Sequence, residues 1–401
     1  MQTALPEQYR LTPKGRRAED ILRSCVHCGF CNATCPTYQV VGDELDGPRG
    51  RIYLMKEMLE TQTVDPVAGH HLDRCLTCRA CETTCPSGVE YGELLEVARD
   101  FQTRHSDRGL FERLIRGWLM RVVPYPQRFR RWAQVGRAFA WLLPAKLRHQ
   151  LPSAAKRQQA VTNPETPRAT VLVLQGCVQK VATPEVNSAL HNLLTRNNIA
   201  VIYAEQETCC GGLPMHLGEE AAANELVRAN LAALRQHVHE VSAIVSTASG
   251  CGVTLKDYER YLDADDELAT TARHVVRKIC DVSELLMSLD LNFDKLDDVH
   301  QVAVHLPCTL QHGQQLGDGV STLLHQAGYE LLPVKDSHLC CGSAGTYSLL
   351  QSEMADELRT RKLSALQREN PDVIVSANVG CQMHLGAQAD VPVRHWLELL
   401  R

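Results

Sequence analysis

Eight cysteines near the start of the chain form two short runs with the same spacing. They are Cys25, Cys28, Cys31 and Cys35, and then Cys75, Cys78, Cys81 and Cys85. Each run has the pattern C-x2-C-x2-C-x3-C followed by proline, and each cysteine of the second run lies 50 residues after its counterpart. Three closely spaced thiolates hold one face of a cubane iron–sulfur cluster, while the fourth cysteine of each run ligates the other cluster. The duplicated spacing therefore predicts two [4Fe-4S] clusters.

Because the fourth cysteine of each run ligates the cluster of the other run, the ligands of each cluster can be assigned. We expect the first cluster on Cys25, Cys28, Cys31 and Cys85, and the second on Cys75, Cys78, Cys81 and Cys35. The alternative is a pair of zinc knuckles, but zinc sites are usually built from two separated pairs of ligands. Four cysteines within eleven residues, closed by Pro36 in one run and Pro86 in the other, favour iron–sulfur ligation.

The later cysteines show a second duplication. One set consists of Cys177, Cys209, Cys210 and Cys251, and the other of Cys308, Cys340, Cys341 and Cys381. Matching cysteines are 131 residues apart, except for the last pair, which is 130 apart. Of the 17 cysteines in the chain, Cys280 alone stands outside both duplications, and we interpret it as a small core residue without a ligand role.

Short apolar and β-branched runs lead to these later cysteines. The runs end at Cys177, Cys251, Cys308 and Cys381, and helical stretches such as 219–238 and 352–367 lie between them. Alternating strands and helices predict α/β units with parallel sheets, in which ligands bind beyond the carboxyl ends of the strands. Glycines beside the cysteines let backbone N–H groups approach an anionic cluster. We therefore expect one further cluster on each set of four, with a zinc site, an unoccupied remnant or thiol chemistry as alternatives.

The composition is that of a globular chain. It has 401 residues, of which 44% are hydrophobic and 22% charged, and a net charge of −5. These values exclude a disordered, collagen-like or mainly membrane-embedded protein, and about 150 residues per domain predicts two or three domains. No apolar stretch approaches the roughly 20 residues that span a bilayer, and no secretion signal is recognisable. We expect a cytoplasmic protein whose cysteines ligate metal rather than form disulfides.

A basic segment separates the two duplicated regions. Residues 101–160 contain thirteen Lys and Arg against two acidic residues, a local charge of +11. Apolar residues at three- and four-residue steps predict one amphipathic helix through Phe111 and Val122, ended by Pro124 and Pro126, and a second over 127–143, ended by Pro144. A peripheral membrane contact, a contact with a partner subunit and simple packing of the two regions all stay open. No nucleic-acid-binding fold accompanies the charge, so nucleic acid is not an expected partner.

Three longer stretches are similar to a known family. They are Cys25–Cys31 together with Gly42–Tyr53, then Asp336–Tyr347, and the stretch that begins at Ala377 with Ala-Asn-Val-Gly-Cys-Gln. The cysteine patterns resemble proteins that join a two-cluster ferredoxin to a duplicated cysteine-rich (CCG) domain, and the longer stretches resemble the glycolate oxidase iron–sulfur subunit family.

The chain departs from one branch of this wider group. In heterodisulfide reductase-like members each CCG repeat ends in C-x2-C, whereas this chain has Thr254 and His384 at the last position. Four cysteines per repeat suffice for an ordinary [4Fe-4S] cluster, so the difference argues against disulfide reduction at a special cluster. His384 is either a ligand or an ordinary hydrogen-bonding histidine.

Together these features predict an α+β multidomain chain, with an α-helical two-[4Fe-4S] ferredoxin domain followed by a duplicated α/β cysteine-rich (CCG) domain. The expected boundaries are 1–100 for the ferredoxin-type domain, 101–167 for the basic helical connector and its linker at 151–167, 168–290 for CCG repeat 1 and 291–401 for CCG repeat 2. We expect the charged stretch 42–53 to be an ion-paired turn that orients the second cysteine run, with a docking surface as the alternative.

The chain lacks the fingerprints of a cofactor that accepts hydride. Neither G-x-G-x-x-G after a strand nor a P-loop is present, although oxidation of a hydroxy acid needs a hydride acceptor. We therefore expect an electron-transfer subunit of an oxidoreductase, with no catalytic residue and no glycolate site of its own.

The resemblance implies FAD-containing oxidase-like partner subunits, a quinone or another acceptor, and a location in the cytoplasm or at the cytoplasmic face of the inner membrane. Alternatives are a thiol or disulfide reductase acting at the CCG sites, and the iron–sulfur or anchor subunit of a lactate or glycerol-3-phosphate dehydrogenase.

Overall fold

The computed structural model describes residues 1–142, 148, 151–152, 162–263, 265–291 and 293–400. The chain divides into two compact units. The first comprises Met1–Arg116, Leu213–Glu220 and His338–Lys362, and the second comprises Gly117–Gly212, Ala221–Ser337 and Leu363–Arg401. Within the described residues, no helix combines the length and the hydropathy that crossing a bilayer requires.

Helices make up the amino-terminal part of the chain. They are α1 (Glu7–Arg10), α2 (Pro13–Ser24), α3 (Pro36–Val41), α4 (Pro48–Thr61), α5 (Pro66–Asp73), α6 (Ala80–Thr83), α7 (Tyr91–His105), α8 (Leu110–Val122) and α9 (Pro126–Ala138). Short 3-10 turns cover Phe30–Thr34 and Glu44–Asp46. Proline begins several of these helices, where its missing N–H costs no hydrogen bond. Most cysteines of the two runs lie in the loops and 3-10 turns between these helices, and Cys81 lies in the short helix α6.

Both connector helices are present, but the second is shorter than the sequence predicts. Helix α8 ends at Val122, and Pro126 begins α9 rather than ending α8, because proline is favourable in a first helical turn. Helix α9 ends at Ala138, since the backbone of Phe139 leaves the helical region (φ −108°, ψ 23°). The predicted end at Leu143 and Pro144, and most of the predicted linker 151–167, lie outside the described residues.

The second unit contains two parallel sheets of the same topology. Strands β1 (Ala169–Leu174), β2 (Ile199–Ile202), β3 (Ala243–Ser246) and β4 (Ile279–Asp281) form a sheet of order β2-β1-β3-β4. Strands β5 (Gln301–His305), β6 (Glu330–Leu332), β7 (Val373–Ser376) and β8 (Val393–His395) form a sheet of order β6-β5-β7-β8. The shared order matches the duplication of the later cysteines, and the predicted fold class is confirmed.

Along the chain, helices lie between and around these strands. They are α10 (Gln179–Ala182), α11 (Pro184–Arg196), α12 (Gly212–His216), α13 (Glu220–Arg235), α14 (Ser249–Lys256), α15 (Ala269–Lys278), α16 (Val282–Ser288), α17 (Gly319–Gln326), α18 (Tyr347–Leu350), α19 (Ser352–Leu366) and α20 (Val379–Gly386). Within the second unit the two sheets share one hydrophobic core, to which Val173 and Val245 contribute from one side and Val302, Val375 and Trp396 from the other. This core fixes the strand ends from which the later cysteines emerge.

The strands end earlier than the sequence predicts. Strand β1 ends at Leu174 and β5 at His305, so Cys177 follows in a turn and Cys308 at the start of a π-helical turn, Thr309–Gly313. The sequence predicts Cys251 and Cys381 at strand ends, but each lies in the first turn of a helix, α14 or α20. Ala248 and Asn378, which still have extended backbone, are the residues after which these helices start. A thiolate in a first helical turn is stabilised by the helix dipole, so the correction keeps the cysteines suited to ligation.

Candidate iron–sulfur sites

The eight cysteines of the two early runs line two neighbouring cavities in the first unit. One cavity is lined by Cys25, Cys28, Cys31 and Cys85, the other by Cys35, Cys75 and Cys78, and Cys81 borders both. Each cavity thus receives cysteines from one run together with the last cysteine of the other run. The members of each expected ligand set therefore surround one cavity.

The backbone of the two runs repeats with the same 50-residue offset as the cysteines. His27 and Thr77, which precede the second cysteine of each run, are both left-handed, with φ of 56° and 55°. Gly29 and Arg79, which follow it, are left-handed too, with φ of 84° and 57°. Arg79 accepts a conformation that usually selects glycine. The two loops therefore wrap their cavities in the same way.

Burial opposes thiolate formation at both cavities. Burial, with smaller contributions from Cys25, Cys85 and Cys28, raises the pKa of Cys31 to about 11. Burial also raises the pKa of Cys81 well above its usual range, and the neighbouring thiols add to the shift. Converging thiols that repel one another as anions need a cationic centre among them, and the iron of a cluster is such a centre. The donor set fits a [4Fe-4S] cluster in each cavity.

Polar groups approach the sulfur atoms of the second cavity, which Cys35, Cys75, Cys78 and Cys81 line. The Tyr91 hydroxyl lies 3.6 Å from Cys75 Sγ, and the Thr37 hydroxyl lies 3.3 Å from Cys35 Sγ. Nη1 of the Arg51 guanidinium lies 3.9 Å from the same Cys35 sulfur. Groups of this kind stabilise negative charge on ligand sulfur.

A buried ion-pair network lies beside the second cavity. Asp46 is fully buried and pairs with Arg51 at 3.2 Å and with Arg74 at 2.8 Å, while His71 Nδ1 lies 3.1 Å from its carboxylate. Arg51 also donates from Nε to the His71 carbonyl at 2.8 Å and from Nη1 to the Thr37 hydroxyl at 3.0 Å. These contacts confirm the ion pairing expected of the stretch 42–53, but its second half, from Pro48, belongs to helix α4 rather than to a turn. Arg74 links Asp46 to the second cysteine run.

The first cavity is the more open of the two. Cys28 is exposed there, whereas three of the four cysteines at the second cavity are buried. His27 stacks on Tyr53 with ring centroids 4.4 Å apart, and its Nδ1 lies 4.0 Å from Cys25 Sγ. Burial, followed by the amino terminus and Arg49, lowers the pKa of His27. The neutral imidazole therefore predominates beside this cavity.

Four further cysteines converge in the second unit, where CCG repeat 1 lies. The thiols of Cys177 and Cys209 are in hydrogen-bonding contact, as are those of Cys209 and Cys210 and those of Cys210 and Cys251. The contact with Cys177 raises the pKa of Cys209, and the contact with Cys210 raises that of Cys251, both well above the usual range. The structure thus brings this expected set together, and its donors also fit a cluster.

Asn230 and Tyr258 brace the vicinal pair Cys209–Cys210. Asn230 Nδ2 donates to the Cys209 carbonyl and its Oδ1 accepts from Thr208 N–H, both at 2.8 Å. The Tyr258 hydroxyl donates to the Cys210 carbonyl at 3.0 Å and accepts from Asn230 at 3.1 Å. Asn230 and Tyr258 are both buried and lie outside the loop of the pair. Their hydrogen bonds therefore fix the backbone of Cys209 and Cys210 through tertiary contacts.

The loop that leads to Cys177 has its own support. The Glu207 carboxylate accepts the backbone N–H groups of Gln175 and Gly176, each at 2.8 Å. Burial raises the pKa of Glu207 to about 7, although these two hydrogen bonds oppose the shift. Glu207 therefore joins the loop of Cys177 to the segment that carries the vicinal pair.

Thr254 lies against the vicinal pair. A Cβ on Gly212 would lie 2.7 Å from Thr254 Oγ1 and 3.6 Å from Cys210 Sγ, so glycine is needed for this close approach. Thr254 occupies the position at which heterodisulfide reductase-like repeats have a fifth cysteine. In this chain the position carries a hydroxyl in place of a thiol.

The cysteines of CCG repeat 2 are divided between the two units. Cys340 and Cys341 belong to the first unit, and Cys308 and Cys381 to the second. In the first unit, Gly342 N–H lies 3.4 Å from Cys340 Sγ. In the second, Cys381 lies in α20, and His384 is buried in the same helix. The expected ligand set of this repeat stays a prediction from the sequence.

Cys280 has the surroundings of a core residue. It lies in β4 opposite Val245 of β3 and packs against the shared core of the second unit. Burial raises the pKa of its thiol to about 12. These surroundings agree with the absence of a ligand role.

Several residues that support the cysteines carry no recognisable motif. Tyr91 contacts a cysteine 16 positions earlier, and Tyr258 a cysteine 48 positions earlier. Asn230 and Glu207 likewise act through tertiary contacts. Spacing along the chain gives no signal for such partners, and only the fold reveals them.

Comparison with known domain families agrees with this arrangement. Residues 21–89 match a 4Fe-4S dicluster domain. Residues 171–256 and 302–386 each match the cysteine-rich domain CCG. The matches confirm the predicted domain types and the prediction of iron–sulfur cofactors.

Curated proteins are similar over the whole chain. The glycolate oxidase iron-sulfur subunit of Escherichia coli (strain K12) is 44% identical, with 100% of this chain and 98% of that protein covered. The probable glycolate oxidase iron-sulfur subunit of Bacillus subtilis (strain 168) is 32% identical, with 94% and 91% covered. A subunit of the fumarate reductase (CoM/CoB) of Methanothermobacter marburgensis is 25% identical, with 100% and 74% covered.

A solved structure has a similar fold. The crystal structure of a hypothetical protein from Helicobacter pylori matches 98% of this chain and 72% of its own chain, with a TM-score of 0.57. At 8% identity this likeness concerns the fold alone.

Proposed function

Because the chain belongs to the family of glycolate oxidase iron–sulfur subunits, we propose that it relays electrons from an FAD-containing partner that oxidises glycolate to glyoxylate toward a quinone or another acceptor. The observation that carries this proposal is the pair of neighbouring cavities in the first unit, each lined by all four cysteines of one expected ligand set. Clusters accept single electrons, whereas glycolate oxidation releases two with a hydride, so the hydride acceptor belongs to a partner.

The ligand assignment is part of this proposal. Cys25, Cys28, Cys31 and Cys85 hold the first cluster, and Cys75, Cys78, Cys81 and Cys35 hold the second. In CCG repeat 1, the contacts among the thiols support a third cluster on Cys177, Cys209, Cys210 and Cys251. In CCG repeat 2, sequence alone supports a cluster on Cys308, Cys340, Cys341 and Cys381.

Iron analysis of cysteine variants tests the assignment. The full chain purified without oxygen is expected to hold about eight iron atoms at the two early sites and about four more at each CCG repeat. Cys210→Ser should lose the iron of CCG repeat 1 and keep the two early clusters. Cys280→Ser, at a cysteine outside every set, should lose none. Equal iron contents in all three proteins would contradict the assignment.

The donor and the partner need a separate test. The chain is purified with the proteins that accompany it, and flavin content and reduction of an artificial electron acceptor are measured with glycolate, lactate and glycerol 3-phosphate. The proposal expects an FAD-containing partner and turnover with glycolate. Turnover only with lactate or glycerol 3-phosphate would reassign the complex, and activity of the chain without any flavoprotein would favour a reductase.

We also propose that the connector helices lie on an anionic membrane surface. Helix α9 and the turn after it expose Trp132 (50%), Phe139 (53%) and Trp141 (74%). Arg128, Arg130 and Arg131 are exposed on the same helix. Exposed tryptophan beside arginine suits the boundary between headgroups and acyl chains.

Vesicle sedimentation tests the membrane contact. Replacing Arg128, Arg130 and Arg131 by glutamate is expected to release the purified complex from vesicles that contain anionic lipid. The matched control replaces exposed Arg273, Arg277 and Arg368 by glutamate, which makes the same change in net charge elsewhere. Equal binding of both variants would remove the membrane contact from the account.

A further inference from the structure

The two cavities of the first unit have the same cysteine pattern but different surroundings. At the second cavity Arg51 is only 1% exposed and its Nη1 lies 3.9 Å from Cys35 Sγ. At the first cavity the neighbouring cations are Arg49, whose side chain is 35% exposed and pairs with Glu44 at 2.6 Å, and the partly exposed amino terminus, which donates to the Cys25 carbonyl at 2.9 Å. Solvent and a carboxylate thus weaken the field of Arg49, whereas the field of Arg51 acts in a buried environment.

The charges around Arg51 leave a positive excess. Its carboxylate partner Asp46 also pairs with Arg74, so one carboxylate serves two guanidinium groups. The guanidinium of arginine stays protonated in proteins, even where it is buried. A positive charge therefore lies at the wall of the cavity that Cys35 and Cys75 line.

Two tyrosines complete these surroundings. Tyr91 is buried, and its hydroxyl lies 3.6 Å from Cys75 Sγ. Tyr347 is 7% exposed and donates to the Arg74 carbonyl at 3.0 Å, which covers this part of the first unit. Exclusion of water keeps the field of Arg51 poorly screened.

We propose that Arg51, supported by the Tyr91 hydroxyl, raises the reduction potential of the second cluster more than that of the first. This inference rests on the proposed function, since it requires a cluster on Cys35, Cys75, Cys78 and Cys81. One-electron reduction adds a negative charge, and a buried cation and a hydroxyl beside the ligand sulfurs stabilise that charge. Burial of the cysteines acts in the opposite direction, and Arg51 offsets its effect.

A redox titration followed by EPR tests the inference on the full chain. Arg51→Met removes the cation, and Tyr91→Phe removes only the hydroxyl. Lys56→Met is the matched control, because Lys56 lies on the same helix α4 and pairs with Glu60 on that helix. Cys28→Ser, which removes a ligand of the first cluster alone, assigns the two EPR signals.

The expected result is a selective change at the second cluster. In Arg51→Met its ratio of reduced to oxidised form at fixed potential should fall by about tenfold or more, which is 59 mV or more for a one-electron couple. Tyr91→Phe should lower the same midpoint by less, and Lys56→Met should change neither midpoint. The midpoint potentials separate this electrostatic role from a purely structural one. A variant that only destabilises the fold would lose iron, but it would not shift the midpoint of one cluster selectively.

Other results overturn the inference. They are an unchanged second midpoint in both variants, or equal shifts at both clusters. If Arg51→Met does not retain iron, Tyr91→Phe decides alone, and an unchanged midpoint in that variant overturns the inference. Iron analysis of the unmodified chain separates failure of this inference from failure of the proposed function. If the two clusters are present but the variants leave their midpoints unshifted, only the inference fails, whereas absence of the clusters contradicts the proposed function.

Discussion

Replacing Asp46 by asparagine should destabilise the first unit strongly. Asp46 is 0% exposed and pairs with both Arg51 and Arg74, across distances of 3.2 and 2.8 Å. At an effective dielectric constant of about 20, charges 3.2 Å apart attract by about 5 kcal/mol. The variant loses this attraction and leaves Arg51 buried without its carboxylate. Removal of one partner from a buried pair typically costs about 3–5 kcal/mol, and we expect a loss of that size.

The matched control is Glu44→Gln. Glu44 belongs to the same turn and pairs with Arg49, but both side chains are more than a third exposed, at 41% for Glu44 and 35% for Arg49. Exposed pairs contribute about 0–1 kcal/mol, so the control should lose less than about 1 kcal/mol. The comparison isolates burial, since each variant exchanges a carboxylate for an amide in one turn.

Native-state hydrogen exchange measured by mass spectrometry is the assay. In Asp46→Asn, the opening free energy of peptides from helix α4, which carries the buried Met55 and Leu59, should fall by about 3–5 kcal/mol. Peptides from β1 and β3 in the second unit should keep their protection. A fall below about 1 kcal/mol in α4, or an equal fall in the sheet peptides, would refute the argument from the buried network.

Three further outcomes follow from single positions. Gly342→Ala should lower the free energy of unfolding of the first unit by more than about 3 kcal/mol and lower exchange protection in α19, because the new Cβ would lie 2.6 Å from the Ala355 carbonyl oxygen at a φ of 90°. The control Gly345→Ala, with a φ of 64° and nothing within 4 Å of the new Cβ, should lower it by about 1 kcal/mol. Equal costs would contradict this. Asn230→Ala leaves Thr208 N–H and the Cys209 carbonyl without their partner and should cost about 2–4 kcal/mol in the second unit, together with iron at CCG repeat 1; retention of both would contradict its bracing role. Burial lowers the pKa of His395 from 6.5 to about 3, so the folded chain keeps this histidine neutral while the unfolded chain binds a proton as the pH falls below 6.5. Between pH 7.5 and 5.5 the second unit should therefore lose about 1.4 kcal/mol more in the unmodified chain than in His395→Asn, measured by the same exchange experiment, and parallel pH profiles would contradict the assignment.

Ligand spacing made the cysteine sites largely predictable. A cluster needs several thiolates from a short stretch of chain, so Cys25–Cys35 and its copy 50 residues later carry their chemistry in local sequence. The 131-residue offset of Cys177 and Cys308 indicated a duplicated fold for the same reason, and the two sheets of equal strand order agree with it.

The details that the sequence did not predict depend on tertiary contacts. The stretch 42–53 shows charged residues, but its burial follows from partners such as His71 and Arg74, which lie in or after another helix. The helical positions of Cys251 and Cys381 were also not predicted. Strands β3 and β7 pair with their neighbours only as far as Ser246 and Ser376, and where this pairing ends depends on the neighbouring strands. Residues 338–362 belong to the second CCG repeat in sequence, yet their contacts place them in the first unit. No local sequence pattern indicates that this segment belongs to the first unit.

EPR of the complete, oxidised complex after addition of glycolate tests the central claim most directly. If the chain relays electrons from a flavoprotein that oxidises glycolate, the signals of its reduced [4Fe-4S] clusters should appear with glycolate and disappear in Cys78→Ser for the second cluster only. Dithionite provides the reference for full reduction. Clusters that dithionite reduces but glycolate leaves oxidised, in a complex that still forms glyoxylate, would contradict the account.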